Sequence, residues 1–286
     1  MAGLTLAQTV DLTQDVLKKG VIETMATESK LLAVLPFMNI EGSGYSYNVE
    51  QSLAGVEFRA VNTSYNTVAP TTRKETEFLT ILGGEAVIDS FQMEVHSNIN
   101  DLMAIQTALT AKSIAHKYEK TFINGDVAVD ANSFNGLKKR VAGTEMEFAN
   151  SGNLVADLDV LLDEVYGGAD ALIMNKKTRR KLTGEARTGQ ITYVKNSFGV
   201  QVTQYGNVDI IDLDSELLED DVIFAVKFGA GEAVSGLQSK SGLSVRSLGE
   251  LGESPQIKTR IEWFVGLAVF HPKAVAMRKA TAEATA

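Results

Sequence analysis

The sequence predicts an α+β fold organised around one long helix, and three observations carry that reading. Apolar residues recur at three- and four-residue steps across positions 98–122, the period of an amphipathic helix. Two alternating, strand-like runs at 42–51 and 73–89 flank about twenty residues rich in Asn, Thr, Ser and Ala, the pattern of a long hairpin. A succession of short strand candidates fills the chain after position 200.

Taken in order, Val10, Leu12, Val16, Leu17, Val21 and Ile22 fit an amphipathic helix over 5–34, interrupted at Gly20 and ended by Leu35-Pro36. Such an arm needs a surface to lie on, its own domain's or equally a neighbour's. In the first hairpin strand Tyr45, Tyr47 and Val49 alternate with polar residues; in the return strand Glu75, Glu77, Leu79 and Ile81 share a face. The connection, 52–71, has little to bury, and exposed strand edges invite pairing with another chain. It reads as an interaction arm, with a flexible surface loop as the alternative.

In the long helix Ile99, Leu102, Ile105, Leu109, Ala115, Tyr118 and Phe122 recur on the apolar side, with Asn98 or Asn100 as cap and Asn124-Gly125-Asp126 as the stop. At 1.5 Å per residue it spans about 37 Å. A second helix, 154–165, ends at Gly167-Gly168 and leads into a strand at 171–174; Asn175 then caps a short helix through Leu182 that Gly184 terminates. Residues 187–198 lack a strong period and read as a loop. Strands are expected at 200–204, 208–212, 222–227, 243–245, 257–264, 267–270 and 274–277, with Trp263 and Phe264 filling the core and a frayed tail at 281–286.

Composition narrows the function classes. With 44% hydrophobic and 22% charged residues the chain is that of a folded soluble protein. A net charge of −9 disfavours general binding to polyphosphate or anionic lipid. The absence of cysteine excludes disulfides and thiolate chemistry and agrees with a reducing compartment. The first twenty residues lack the basic-then-apolar order of a signal peptide, and the apolar run 264–270 falls far short of the roughly 20 residues that cross a bilayer.

No catalytic constellation emerges. Gly229-Ala230-Gly231 follows a strand, as a dinucleotide-binding turn does, but Val234 stands where the third glycine belongs and no amphipathic helix follows. His96, His116 and His271 are far apart and in no ligand spacing; His116 reads as a surface or interface residue. The acidic run 212–221 opens like a calcium loop, yet it has Leu217 at the glycine position and Ile223 where a bidentate Glu is required, so it reads as a solvated turn. Lys176, Lys177, Arg179, Arg180 and Lys181 crowd about one and a half helical turns near a helix start, where positive charge opposes the macrodipole. Intersubunit ion pairs, nucleic-acid contact or solubility each account for that cluster.

In the order and lengths of its segments the chain resembles the major capsid proteins of tailed bacteriophages, with the Hong Kong 97-like fold. The correspondence runs from an N-terminal arm (1–37) through an extended hairpin loop (38–90), a spine helix and a peripheral domain that takes in ADALIMNKKTRRKL (91–185), and an axial domain beginning near GNVDIIDLD (186–260), to closing strands and tail at IEWFVGLAVFHPKAVAMRK (261–286). The resemblance implies a structural role without cofactor or metal: hexamers and pentamers closing into an icosahedral phage head around double-stranded DNA, which is not bound sequence-specifically. It also implies virion localisation after assembly in the bacterial cytoplasm, portal and cement proteins as partners, and no membrane. No long scaffolding extension precedes the arm, so scaffolding is expected from a separate protein or an already removed one. The candidate intersubunit contacts are Tyr45, Tyr47, Arg59, Arg73, Lys74, Lys176, Lys177, Arg179 and Arg180, together with the arm at 4–32. Some relatives join subunits by Lys-Asn isopeptide bonds; Lys74 lies near the hairpin base, not its tip, and no such bond is assigned to it. An encapsulin shell shares the fold, and an α/β enzyme holding a phosphorylated ligand between the Gly229 turn and the 176–181 cations is the competing class.

Overall fold

The computed structural model describes residues 4–6, 16–52, 54–65, 69–96, 102–185, 191–195, 201–251 and 254–279. Val10, Leu12, His96's side chain, Asn98, Ile99, Asn100 and the tail 281–286 lie outside the described residues, as does most of the loop expected at 187–198.

The arm is not one helix. It contains a short strand, β1 (Leu4–Thr5), a helix α1 (Val16–Glu28) and a separate α2 (Lys30–Val34). The break is made by Ser29, whose extended backbone and side-chain oxygen cap α2 by accepting from the Leu32 N–H. Val21, Ile22 and Met25 are buried while Leu17 is exposed, and the buried set joins Ala111, Ile114 and Ala115 in the core, so the described arm packs on its own chain. Pro36 opens a strand that the sequence pattern did not mark, β2 (Pro36–Ile40).

The hairpin strands are β3 (Gly44–Ser52) and β4 (Thr71–Phe78), antiparallel from Gly44 opposite Phe78 to Ser52 opposite Thr71. The expected return strand is divided: after Leu79 the chain changes partner and continues as β5 (Thr80–Asp89). Ile81 is accordingly exposed while Glu75 and Glu77 are half-buried. A short helix α3 (Ser90–His96) precedes the spine α4 (Leu102–Asn124). The buried face of α4 runs through Thr107, Ala111, Ile114, Ala115, Tyr118, Phe122 and Ile123; Ile105 and Leu109, expected inside, face out. The reason is β5, which packs beside α4 so closely that a Cβ on Gly84 would sit 2.9 Å from the Thr110 methyl. Small residues permit that approach, and they displace the apparent apolar stripe.

After the spine come α5 (Leu137–Val141), β6 (Glu147–Phe148) and α6 (Leu154–Glu164), capped by Asn153. Next follow β7 (Ala171–Asn175) and α7 (Lys176–Glu185), which continues through Gly184 instead of stopping there. The remaining strands are β8 (Ile191–Lys195), inside the stretch expected to be a loop, β9 (Gln201–Tyr205), β10 (Val208–Leu213), β11 (Ile223–Val226), β12 (Val234–Leu251), β13 (Ser254–Val269) and β14 (Val275–Arg278). The three short candidates at 243–245, 257–264 and 267–270 are thus parts of one long β12–β13 hairpin, bulged between Gln238 and Leu243 and between Ser247 and Gly249.

Two sheets result. The order β1-β2-β12-β13-β5 joins the arm, the hairpin base and the long β-ribbon. The order β6-β14-β11-β7-β10-β9-β8 draws strands from well-separated parts of the chain. The main core lies around α4, where Trp263 contacts Phe37 and Tyr118 with ring centroids 5.1 Å away from each. Trp263 is fully buried, its indole N–H donating to Gln238 at 3.1 Å, whereas Phe264, expected beside it, is only half-buried.

Candidate assembly surface

The β3–β4 hairpin has an anchored base and a bare tip. At the base Tyr45 and Tyr47 lie against Phe270, with Tyr47 ring-to-ring at 4.6 Å, and the Tyr47 hydroxyl donates to the Val269 carbonyl at 3.1 Å. Burial, reinforced by the Glu77 charge, pushes the Tyr47 hydroxyl up to about 12, so it stays a proton donor. Leu79 hydrogen-bonds Ser43 at 2.9 Å and closes the ladder.

The decisive anchor is Arg140 on α5. Its two terminal nitrogens donate to both Glu77 oxygens at 2.5 and 2.8 Å, one also reaches the Leu267 carbonyl at 3.1 Å, and Nε donates to Asn135 O at 2.9 Å. The two side chains are 17% and 16% exposed. A single planar fork thereby ties the hairpin, the β-ribbon and the loop after the spine. Sequence reading missed Arg140, and an ion pair 63 positions apart carries no local signal.

Beyond the ladder the described tip, 54–65 and 69–70, is outside any strand. A turn fixes part of it: Thr63 donates to Ala60 O through N–H and hydroxyl at 3.3 and 2.9 Å, Asn62 takes φ 69, and Arg59 donates to Thr63 O at 3.1 Å while lying 5.1 Å over the Tyr65 ring. The scattered large apolar side chains of the tip, Val56, Phe58 and Val61, are 93%, 106% and 88% exposed. Apolar side chains this bare are unusual unless something covers them. Arg73 pairs with Glu75 along its own strand, and Lys74 stands midway up the ladder opposite Asn48.

The cation cluster has partners inside the chain. Lys176 pairs with Asp214, Lys177 with Asp220 at 3.0 Å, Arg179 with Asp212 at 3.7 Å and Lys181 with Asp221 at 2.7 Å. Asn175, fully buried, donates to Asp220 at 2.6 Å and caps α7 by accepting from Thr178 N, while Thr178 Oγ accepts from Asp221 N. The acidic run, a solvated turn with Asp214, Glu216, Glu219 and Asp220 exposed, also lies against the start of α7, where its negative charge offsets both the cations and the macrodipole. Contact with Lys176 holds the Asp214 carboxyl below its ordinary range, and Lys177 with Asn175 does the same for Asp220. Arg180 is exposed and has no ion partner among the described residues. Cations so engaged are not poised for a phosphorylated ligand, and among the described residues no group of His, Asp and Glu is arranged to hold a metal.

An arm packed beside a spine helix, a hairpin leaving the body and a sheet packed along the spine through β5 and β13 make up the Hong Kong 97-like capsid fold. The family described as major capsid protein GP7 matches residues 13–158, just over half of the 286, and the chain belongs to it. The matched part holds most of the arm, the hairpin, the spine and Arg140. Similar solved structures include the capsid of a native GTA particle (16% identity, 91% of each chain, TM-score 0.65). Others are the holo-SrpI encapsulin complex of Synechococcus elongatus PCC 7942 (20% identity, 88% of this chain and 87% of that one, TM-score 0.66) and Microbacterium phage Oxtober96 (12%, 88% and 90%, TM-score 0.65). No curated protein sequence matches. At these identities the structures speak for the fold, and the family for the role: a non-enzymatic capsid component of a virion that forms shells from copies of itself.

Proposed function

We propose that this chain forms the hexamers and pentamers of an icosahedral phage head that encloses double-stranded DNA without reading its sequence. Assembly takes place in the host bacterial cytoplasm, with scaffolding, portal and cement proteins as partners. In this reading residues 1–37, 38–90, 91–185, 186–260 and 261–286 act as arm, extended loop, spine with peripheral domain, axial domain and closing strands. The observation that carries it is the hairpin whose base is fixed by Arg140 and whose tip bears three almost fully exposed apolar side chains. Each copy offers the tip to the next, a head-to-tail contact that generates closed rings. Among the expected contact residues the reading keeps Arg59 and Arg180 for neighbours.

Replacing 54–70 by a short turn is expected to leave folded, soluble subunits and abolish particles in negative-stain microscopy; normal closed particles from that variant would refute the arm's role. The encapsulin neighbour supports a second reading, a cellular compartment. Particle contents separate the two, because nuclease-protected double-stranded DNA belongs to the head and packed protein cargo to the compartment.

A further inference from the structure

We infer that the hairpin tip of one copy seats in a specific groove of another copy, between the hairpin base and the loop that follows the spine. The groove, about 820 Å³, is walled on one side by Phe78, Leu79 and Ile81 and on the other by Val127, Ala131 and Phe134. That volume suits several side chains. Phe78 and Ile81 are 63% and 72% exposed, and Val127 is 41% exposed. The inference deepens the shell reading and rests on it.

Three features make the groove a seat instead of a gap. Its loop wall is rigid: Gly136 N–H bonds Gly125 O at 2.8 Å, Val127 N–H bonds the Asn135 side chain at 3.0 Å, and Lys139 reaches Asp126 at 2.9 Å. The loop ends pinch so tightly that a Cβ on Gly136 would lie 2.6 Å from Thr121 O. The two walls are also held at fixed separation, because Arg140 bonds Glu77 on one and Asn135 on the other. A preformed seat avoids the ordering cost of a flexible one. Finally, the tip matches it in chemistry, with Val56, Phe58 and Val61 for the apolar walls and Arg59 for Asp130, an exposed carboxylate beside the groove without an ion partner among the described residues.

A chain cannot fill its own groove. Phe78 borders the groove and Thr71 ends the ladder, so the tip begins roughly 23 Å away along the strand, at about 3.3 Å per residue. The occupant is therefore a second copy, and the tip-to-base geometry makes the contact heterologous.

The chain contains no cysteine, so single-cysteine variants report without background. A size-tagged Phe58→Cys chain is mixed with an untagged Val127→Cys chain, assembled and oxidised, and Leu109→Cys on the exposed spine face serves as the alternative target. Disulfides need Cβ atoms about 4 Å apart. The expected result is particles with a dominant mixed-size Phe58→Cys/Val127→Cys disulfide band, absent from unassembled subunits. Particles in which the Phe58→Cys chain crosslinks to the Leu109→Cys chain, or to neither, overturn the groove and leave the shell reading standing. If unsubstituted protein forms no particles, the shell reading fails and takes the groove with it.

Discussion

Breaking the Arg140–Glu77 fork tests whether the hairpin base is held by a buried, coupled ion pair. Arg140→Met leaves the Glu77 carboxylate at 16% exposure without its cation and strips a donor from the Leu267 and Asn135 carbonyls. Removing one member of a buried pair costs about 3–5 kcal/mol, because the remaining charge stays desolvated. Glu77→Leu leaves the guanidinium in the same position at 17% exposure and is expected to cost a similar amount. In a chain of 286 residues that lowers the melting temperature by on the order of 10 °C. The double variant removes both charges together, so its loss is expected to be smaller than the sum of the singles by about 2 kcal/mol or more. Urea unfolding of unassembled subunits, run as a double-mutant cycle, measures this. Additive losses, or single losses below about 1 kcal/mol, would place the pair among ordinary surface ion pairs and remove the anchor from the argument.

Three further substitutions address the interior and the α7 cluster. Glu119 is buried, accepts the Ser29 hydroxyl at 2.6 Å and has its carboxyl pushed up by burial, with Asp214 and Glu28 adding repulsion. A raised carboxyl contributes stability that is fully present below its unfolded value and lost as pH rises through the folded one. Glu119→Gln keeps the acceptor, so its advantage over the unsubstituted chain is expected to grow as pH rises above the ordinary carboxylate range; an advantage that stays flat across urea titrations as pH rises would refute it. On α7, Arg180→Glu is expected to leave subunit stability within about 0.5 kcal/mol but to weaken assembly most at low salt, where exposed pairs are least screened. Arg179→Glu faces Asp212, which is 12% exposed, and is expected to cost the isolated subunit more than the ~0.2–1 kcal/mol of an exposed pair. Salt-independent assembly of the Arg180 variant would count against a neighbour contact.

What was legible in the sequence is what local periodicity encodes. The spine, the hairpin and the Asn175-capped helix each announce themselves within one window of side chains. The long β12–β13 ribbon does not, since Gly236, Ser239, Ser241, Gly242 and Gly249 interrupt its alternation and bulges shift its register. The spine's phase was misread because the small Thr107 and Ala111 are buried while the larger Ile105 and Leu109 face out. Long-range pairing was the deeper loss. Basic helix and acidic run were both visible, but the sequence could not say that 38 to 43 positions of chain fold back to join Lys176 to Asp214 and Lys177 to Asp220. The same blindness hid Arg140 and with it the rigidity of the groove.

That internal pairing bears on what drives assembly. The most concentrated cationic segment is largely neutralised within the subunit, so it contributes little attraction between copies, and a chain of net charge −9 meets copies of itself against a repulsive background. In the proposed shell, closure then draws mainly on apolar burial. Val56, Phe58 and Val61 supply roughly 1.5–3 kcal/mol each when covered, enough for a contact that is weak singly and strong when repeated around a ring. A weak contact also lets a wrongly placed subunit leave before the shell closes, which a dominant network of intersubunit ion pairs would hinder. In the proposed shell the division of labour follows from the residues: charges fix the fold of each subunit, and a small exposed apolar tip joins one subunit to the next.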